Sequence, residues 1–254
     1  VADTLLEPFF EKKTIEPVPL TIENVPERDW VSENRASFPP LRIGRFWIHG
    51  SHIKQQPKGN SIPLLIDASL AFGSGTHPTT EGCLRALQMI PNTNLTRRVL
   101  DMGCGSAILA MAAQRIWPAA IVVAADNDPI AIRVTKINRR RNNIAPSRMR
   151  LVLSNGFGSP YVRQSAPYDV IFANILARPL IKMASSLYRY LAREGWLILS
   201  GILNEQVTSV RNNFRAHAIR CFYQIRIGDW TTLVMRSAEC GSIPQLWRGR
   251  CQNS

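Results

Sequence analysis

Three places along the chain combine residue types and spacings that suit ligand chemistry. The first is VLDMGCGS, residues 99–106, in which Asp101 is followed by Gly103 and Gly105 with one residue between them. Glycines at such a turn let the chain reverse tightly and let a ligand approach the backbone. A helix starting just afterwards presents free N–H groups and a positive dipole end, suited to a carboxylate or phosphate. The second is Asp126, which directly follows the apolar run IVVAA (121–125). An acid roughly 20 residues beyond a glycine loop is placed to accept hydrogen bonds from both hydroxyls of a ribose; a solvated acid at a strand end is the plainer reading. The third is Asn174, in AN-ILA after DVIFAN. Its amide carbonyl can orient an incoming amine, or it can be an ordinary polar turn residue.

These residues need elements that bring them together. Arg98–Asp101, residues 121–125, MRLVLS (149–154), YDVIFAN (168–174) and WLILS (196–200) read as strands. Each is short and apolar, and 121–125 is apolar throughout, as in a parallel strand buried on both faces. Between them lie helical stretches: SAILAMAAQRIW, a helix opened by Asp128 as cap and Pro129, RPLIKMASSLYRYLA (178–192) closed by Gly195, and EQVTSVRNNFRAH (205–217). Before them THPTTEGCLRALQMI reads as a helix capped by Thr76, with Pro78 in its first turn. AIRCFYQIRI and TTLVMRS form an expected hairpin through Gly228-Asp229. Alternation of this kind gives an α/β fold with a mainly parallel sheet covered by helices on both faces. Ligands then bind at the carboxyl ends of the strands, where all three candidate places fall. Residues 1–60 are read as a reduced N-terminal segment and linker with no core of its own, though 42–48 suggest a short strand with a turn glycine. Residues 61–236 form the main domain, and 237–254 a polar tail.

Composition narrows the classes. The chain has 254 residues and 45% hydrophobic content, normal for a folded protein. No run of about 18 apolar residues indicates a membrane span and the N-terminus has no signal-peptide pattern, so a cytoplasmic location is expected. The five cysteines and four histidines show neither CxxC nor HExxH spacing, so no metal site is expected. The net charge is +13 and the pI about 10.2. Such a surface suits a polyanionic environment such as RNA or the ribosome. With 25 arginines against 6 lysines, a compositional bias explains the same charge, and both readings stay open.

The glycine loop then decides between cofactors. A dinucleotide loop needs G-x-G-x-x-G, and the third position here is Ile108. The D-x-G-x-G form that remains is that of S-adenosylmethionine sites, where the loop meets the methionine moiety. A further loop, AFGSGTHPTT (71–80), carries two glycines and His77, which is either a base or a structural histidine.

Taken in order, AFGSGTHPTT, LDMGCGSAILA, ADNDPIAI, DVIFANILARPL and LILSGILNEQ resemble the PrmA family of ribosomal-protein methyltransferases, over roughly residues 39–236. That family methylates the eleventh protein of the large ribosomal subunit. The resemblance implies a class I S-adenosylmethionine-dependent fold, Rossmann-like, with a seven-stranded sheet. It implies methyl transfer to amino groups, a lysine side chain or an N-terminal amine, with a large-subunit ribosomal protein or the ribosome as partner. It places cofactor contacts at Thr80, Gly103, Asp126 and Asn174, beside Gly105 from the loop itself, with Phe72 to His77 lying over the cofactor. Asn174 is the expected catalytic residue, and a monomer is expected. The alternatives are methylation of ribosomal RNA or another small substrate, and a catalytically silent ribosome-associated module. The chain departs from the family pattern at Ser74, where threonine is usual, at Ala68-Ser69, where Pro-Gly is usual, and in a shorter N-terminal region. Ala107 stands where glycine is usual, and alanine held at positive φ would strain the loop.

Overall fold

The computed structural model describes residues 39–55, 57, 59–67, 77–91 and 96–237, all within the unit Val31–Ser254. Phe72 and residues 238–254 lie outside the described residues. Two sheets are formed. The smaller joins β1 (Leu41–Ile43), β2 (Phe46–His49) and β3 (Ile62–Leu65); β1 and β2 are a hairpin turning at Gly44, and β3 runs parallel to β2.

The larger sheet holds β4 (Arg98–Met102), β5 (Ile121–Asp126), β6 (Met149–Leu153), β7 (Tyr168–Asn174), β8 (Leu191–Leu203), β9 (Ile219–Ile227) and β10 (Trp230–Ser237). Their order is β6-β5-β4-β7-β8-β10-β9, and only β10 runs against its neighbours. The helices are α1 (Pro78–Met89), α2 (Ile108–Ile116), α3 (Pro129–Arg141), α4 (Pro160–Gln164), α5 (Ala177–Tyr190) and α6 (Val207–Ala216). The expected seven-stranded, mainly parallel α/β sheet is observed.

Strand alternation explains the layers. In β7, Val170 and Phe172 belong to one buried cluster while Ile171 and Ala173 belong to the other. The same split separates Val122 and Ala124 from Val123 and Ala125 in β5, because successive side chains of a strand point to opposite faces. One cluster packs α1 and α2 through Leu84, Leu87 and Leu109, and the other packs α5 and α6 through Leu180, Leu187 and Phe214. Both faces are therefore dry, which is why these strands are apolar throughout.

The small sheet shares the first cluster through Ile43, Phe46, Ile48 and Leu64. The Asn142 amide accepts from Leu65 N and donates to Leu65 O, and Arg141 pairs with Asp67. Residues 41–49 thus contribute to the common core. Two local expectations are corrected. His77, in place of the expected Thr76, caps α1, its Nδ1 accepting from Thr79 N at 3.3 Å. Gly195 lies within β8, because α5 ends at Tyr190 and the strand starts at Leu191.

Candidate functional site

The strand order reverses at β4: the chain passes outward to β5 and β6, then returns to place β7 on the other side. Loops leaving adjacent strands in opposite directions open a crevice at their carboxyl ends. A cleft of about 360 Å³ lies there, lined by Gly103 after β4, Asp126 at the end of β5, Asn174 at the end of β7 and Gly201 in β8. His77, Thr79, Asn127, Ile175, Leu176 and Trp230 complete its wall.

The glycine loop is fixed from several sides. Gly103 N and Cys104 N both donate to Ala125 O, at 2.8 and 3.1 Å. Thr135 Oγ1 donates to Gly105 O at 2.8 Å, and Asn138 Nδ2 to Ser106 O at 3.1 Å. Gly103 has φ 71° and Gly105 φ 54°, and a Cβ on Gly103 would lie 2.5 Å from Ile175 Cγ2. The loop is therefore a rigid rim whose backbone faces the cleft. Ala107 does sit at φ 61°, with its methyl fully buried, as N-cap of α2.

Asp126 is mostly buried, and its two oxygens accept separately: Oδ2 from Gly105 N at 2.8 Å and Oδ1 from Asp128 N at 3.0 Å. A carboxylate has about four acceptor positions, so each oxygen keeps capacity for a hydroxyl from the cleft. Asp101 has a different environment. It is buried and accepts from Ala110 N at 3.0 Å. Burial pushes its carboxyl up to about 8; the Ala110 bond opposes the rise and the nearby Asp126 adds to it. Burial likewise raises the Cys83 and Cys104 thiols above their ordinary range, so neither is a thiolate nucleophile.

Of the residues expected from sequence, Gly103, Gly105, Asp126, Asn174 and His77 come together in the cleft. Thr80 lies behind the wall. It is fully buried, its Oγ1 has no partner among the described residues, and its neighbour Thr79 lines the cleft instead. Besides its cap bond with Thr79 N, His77 contacts Thr79 Oγ1 at 2.7 Å and the Trp230 ring edge-on at 5.2 Å. Sequence reasoning missed Trp230, Gly201 and Leu176. Gly201 carries a signal, a glycine directly after the apolar run of a strand. Trp230 carries none, since only the pairing of β10 with β8 brings it opposite Leu203.

Comparison with known proteins agrees with this geometry. Residues 5–238 match the family model described as ribosomal protein L11 methyltransferase (PrmA). The chain is 41% identical over 236 residues to a ribosomal protein L11 methyltransferase of Agrobacterium fabrum, covering 92% of this chain and 77% of that one. The chain belongs to the ribosomal protein L11 methyltransferase family. A relative from Brucella suis is 43% identical over 214 residues, covering 84% and 74% of the two chains. The crystal structure of a ribosomal protein L11 methylase from Lactobacillus delbrueckii subsp. bulgaricus superposes with a TM-score of 0.71 at 25% identity, over 79% of this chain and all of that one. This family member is therefore a class I S-adenosylmethionine-dependent methyltransferase, and the silent-module and RNA-methylating alternatives are not favoured. The cleft fits the cofactor on its own chemistry: close-approach glycines, a carboxylate with spare acceptor capacity, and an apolar wall in Ile175, Leu176 and Trp230. Among the described residues no helix is long and apolar enough to cross a membrane.

Proposed function

We propose that this chain methylates amino groups of ribosomal protein L11, a lysine side chain or the N-terminal amine, in the cytoplasm and as a monomer. The observation that carries this reading is that Asn174 lines the same cleft as the glycine loop and the apolar residues Leu176 and Trp230. In this reading residues 61–236 hold the catalytic domain, residues 1–60 an N-terminal segment and residues 237–254 a tail. Asp126 accepts the ribose hydroxyls, and the backbone at Gly103 and Gly105 receives the amino-acid end. In this reading His77 and Phe72 also contact the cofactor, while Thr80 is buried behind the wall. When bound, the cofactor supplies a methyl group already activated on a sulfonium.

The residues of this chain then have two tasks. The Asn174 carbonyl oxygen accepts one N–H of the incoming amine and turns its lone pair toward the methyl. Holding reactants in line converts a bimolecular step into an effectively unimolecular one. The wall of Ile175, Leu176 and Trp230 excludes water from the amine. A lysine amine has an unperturbed pKa near about 10.4. Desolvation disfavours its charged form, so the proton leaves to solvent as the amine enters, and no dedicated base is required. The basic surface further supports contact with ribosomal RNA during this encounter.

The test is incubation with labelled S-adenosylmethionine and unmodified ribosomal protein L11, free and within ribosomes, followed by separation of protein from RNA. Label in that protein is expected. Label confined to RNA, or absent from both, overturns the reading.

A further inference from the structure

We infer that the groove between α6 and β9 is a docking site for the phosphate backbone of RNA. The inference deepens the RNA contact proposed above and rests on that reading. The groove encloses about 450 Å³ and is lined by Thr208, Arg211, Asn212 and Arg215 of α6 with Arg220 of β9. Spacings of three and four residues put the four helix residues on one face. β9 is the outermost strand of its sheet, so the groove lies along an open edge.

Several arginines elsewhere in the fold are held by main-chain carbonyls, whereas Arg97, Arg189 and Arg193 have no such side-chain bond among the described residues. What sets the groove apart is that three such unbonded side chains share one concavity. Arg98 donates to Ser165 O and Ala166 O, Arg115 to Asn142 O, Arg148 to Ala119 O, and Arg236 to Glu194 O. Each satisfies a main-chain carbonyl. Arg211, Arg215 and Arg220 are exposed and have no ion-pair or hydrogen-bond partner among the described residues. The helix dipole accounts for Arg215, in the last turn of α6. It does not account for Arg211, one turn earlier, where a like charge four residues away is unfavourable.

The chemistry of the groove selects the ligand. Guanidinium forks, an amide and a hydroxyl converge on one concavity with no acidic side chain in its lining. Phosphate oxygens are the acceptors that match forked donors, and arginine, threonine and asparagine supply most backbone contacts to nucleic acid. The +13 net charge adds long-range attraction. The carboxylates Asp126, Asp128, Glu205 and Asp229 lie toward the catalytic edge, at strand ends, helix starts and the β9–β10 turn, while Asp169 and Glu194 lie near the amino ends of β7 and β8, outside the groove lining. RNA is thereby drawn to the α6–β9 groove, away from the carboxylates that border the cleft.

The experiment measures fluorescence anisotropy of a labelled RNA hairpin against salt, for the full chain and two triple variants. One is Arg211→Glu with Arg215→Glu and Arg220→Glu. The other, with the same change in net charge, is Arg133→Glu with Lys136→Glu and Arg140→Glu on exposed positions of α3. Each phosphate contact contributes a slope of about 0.9 in log affinity against log salt. The groove variant is expected to lose about 2 to 3 from that slope and at least roughly tenfold in affinity, and the α3 variant far less. The corresponding glutamine variants give the same ranking if charge reversal perturbs folding. Equal losses in both variants, no RNA binding by the wild type, or equally tight binding of poly-glutamate to the groove would each overturn the inference. Methylation of free ribosomal protein L11 is followed in parallel. Its absence in the wild type, with groove-dependent RNA binding intact, rejects the substrate reading and leaves the groove standing.

Discussion

Replacing Gly201 by alanine tests whether the cleft is held by backbone contact. Gly201 has φ 78°, and a Cβ there would lie 2.3 Å from Ile175 O and 2.7 Å from Ile175 C. Ser200 and Gly201 together oppose Thr232, because the pairing jumps from Leu199–Leu233 to Ile202–Thr231. This β-bulge bends β8 over the peptide that follows Asn174. Alanine at left-handed φ costs about 1–2 kcal/mol. Forcing a packed backbone aside costs about 1–3 kcal/mol more. Lower entropy of the unfolded alanine chain offsets about 0.4–1 kcal/mol. The net destabilisation is then about 1–5 kcal/mol, a fall in melting temperature of roughly 2–20 °C for a domain of this size. The control is Gly228→Ala, with φ 58° and no atom within 4 Å of the added methyl; it carries the φ strain alone. Relief of the clash displaces Ile175 and with it Asn174, so turnover should fall at least roughly tenfold in Gly201→Ala. Thermal melts and methyl-transfer rates of both variants decide the matter. Equal melting points for the two, or unaltered turnover in Gly201→Ala, would refute the claim that the Ile175 peptide is the contact that matters.

Four further outcomes follow from the same geometry. Asn174→Ala should lower turnover by about 10- to 100-fold while changing S-adenosylmethionine affinity little; calorimetry showing a parallel loss of affinity would remove the amine-orienting role. Asp126→Ala takes away charged acceptors worth about 1.5–3 kcal/mol per bond, so cofactor affinity should drop more than tenfold, and unchanged binding would exclude ribose contact. Asp101 has a folded-state pKa raised to about 8, above its ordinary value. Its contribution is present in acid and is lost as pH rises through about 8, whereas Asp101→Asn stays neutral; melts at pH 5 and 8.5 should diverge for the wild type and converge for the variant, and identical slopes would refute the assignment. Ala107→Gly relieves about 1–2 kcal/mol of left-handed strain. It forfeits about 0.8 kcal/mol of buried methyl and about 0.4–1 kcal/mol through the unfolded chain. Stability and cofactor affinity should therefore barely move, and a rise in melting temperature above roughly 5 °C would show the loop to be strained.

The elements that sequence described best are those with two buried faces or an unambiguous cap. IVVAA became β5, extended by Asp126 itself, YDVIFAN became β7 without change, and Asp128 caps α3. The least legible was β8, for which only residues 196–200 read as strand. Its first part pairs Tyr168 with Leu191 before the register breaks and resumes at Val170 with Trp196, and no local pattern encodes that break. The candidate site divides the same way. Gly103, Gly105, Asp126 and Asn174 sit at strand ends, so local punctuation gave them away, whereas Trp230 depends on β10 being inserted between β8 and β9. The charge excess shows how a local rule becomes a global property. Arg115, Arg139, Arg140, Arg141, Arg189 and Arg215 each occupy the last turn of a helix, where the dipole favours cations. Each of those helices returns the chain from the carboxyl edge of the sheet to the opposite edge, so their last turns collect there. These last-turn arginines thus lie on the side away from the cleft, although Asp169 and Glu194 share that edge and Arg178 and Arg226 lie toward the other. If the α6–β9 groove docks RNA as proposed, these arginines add to the attraction at long range while the cleft receives the protein amine.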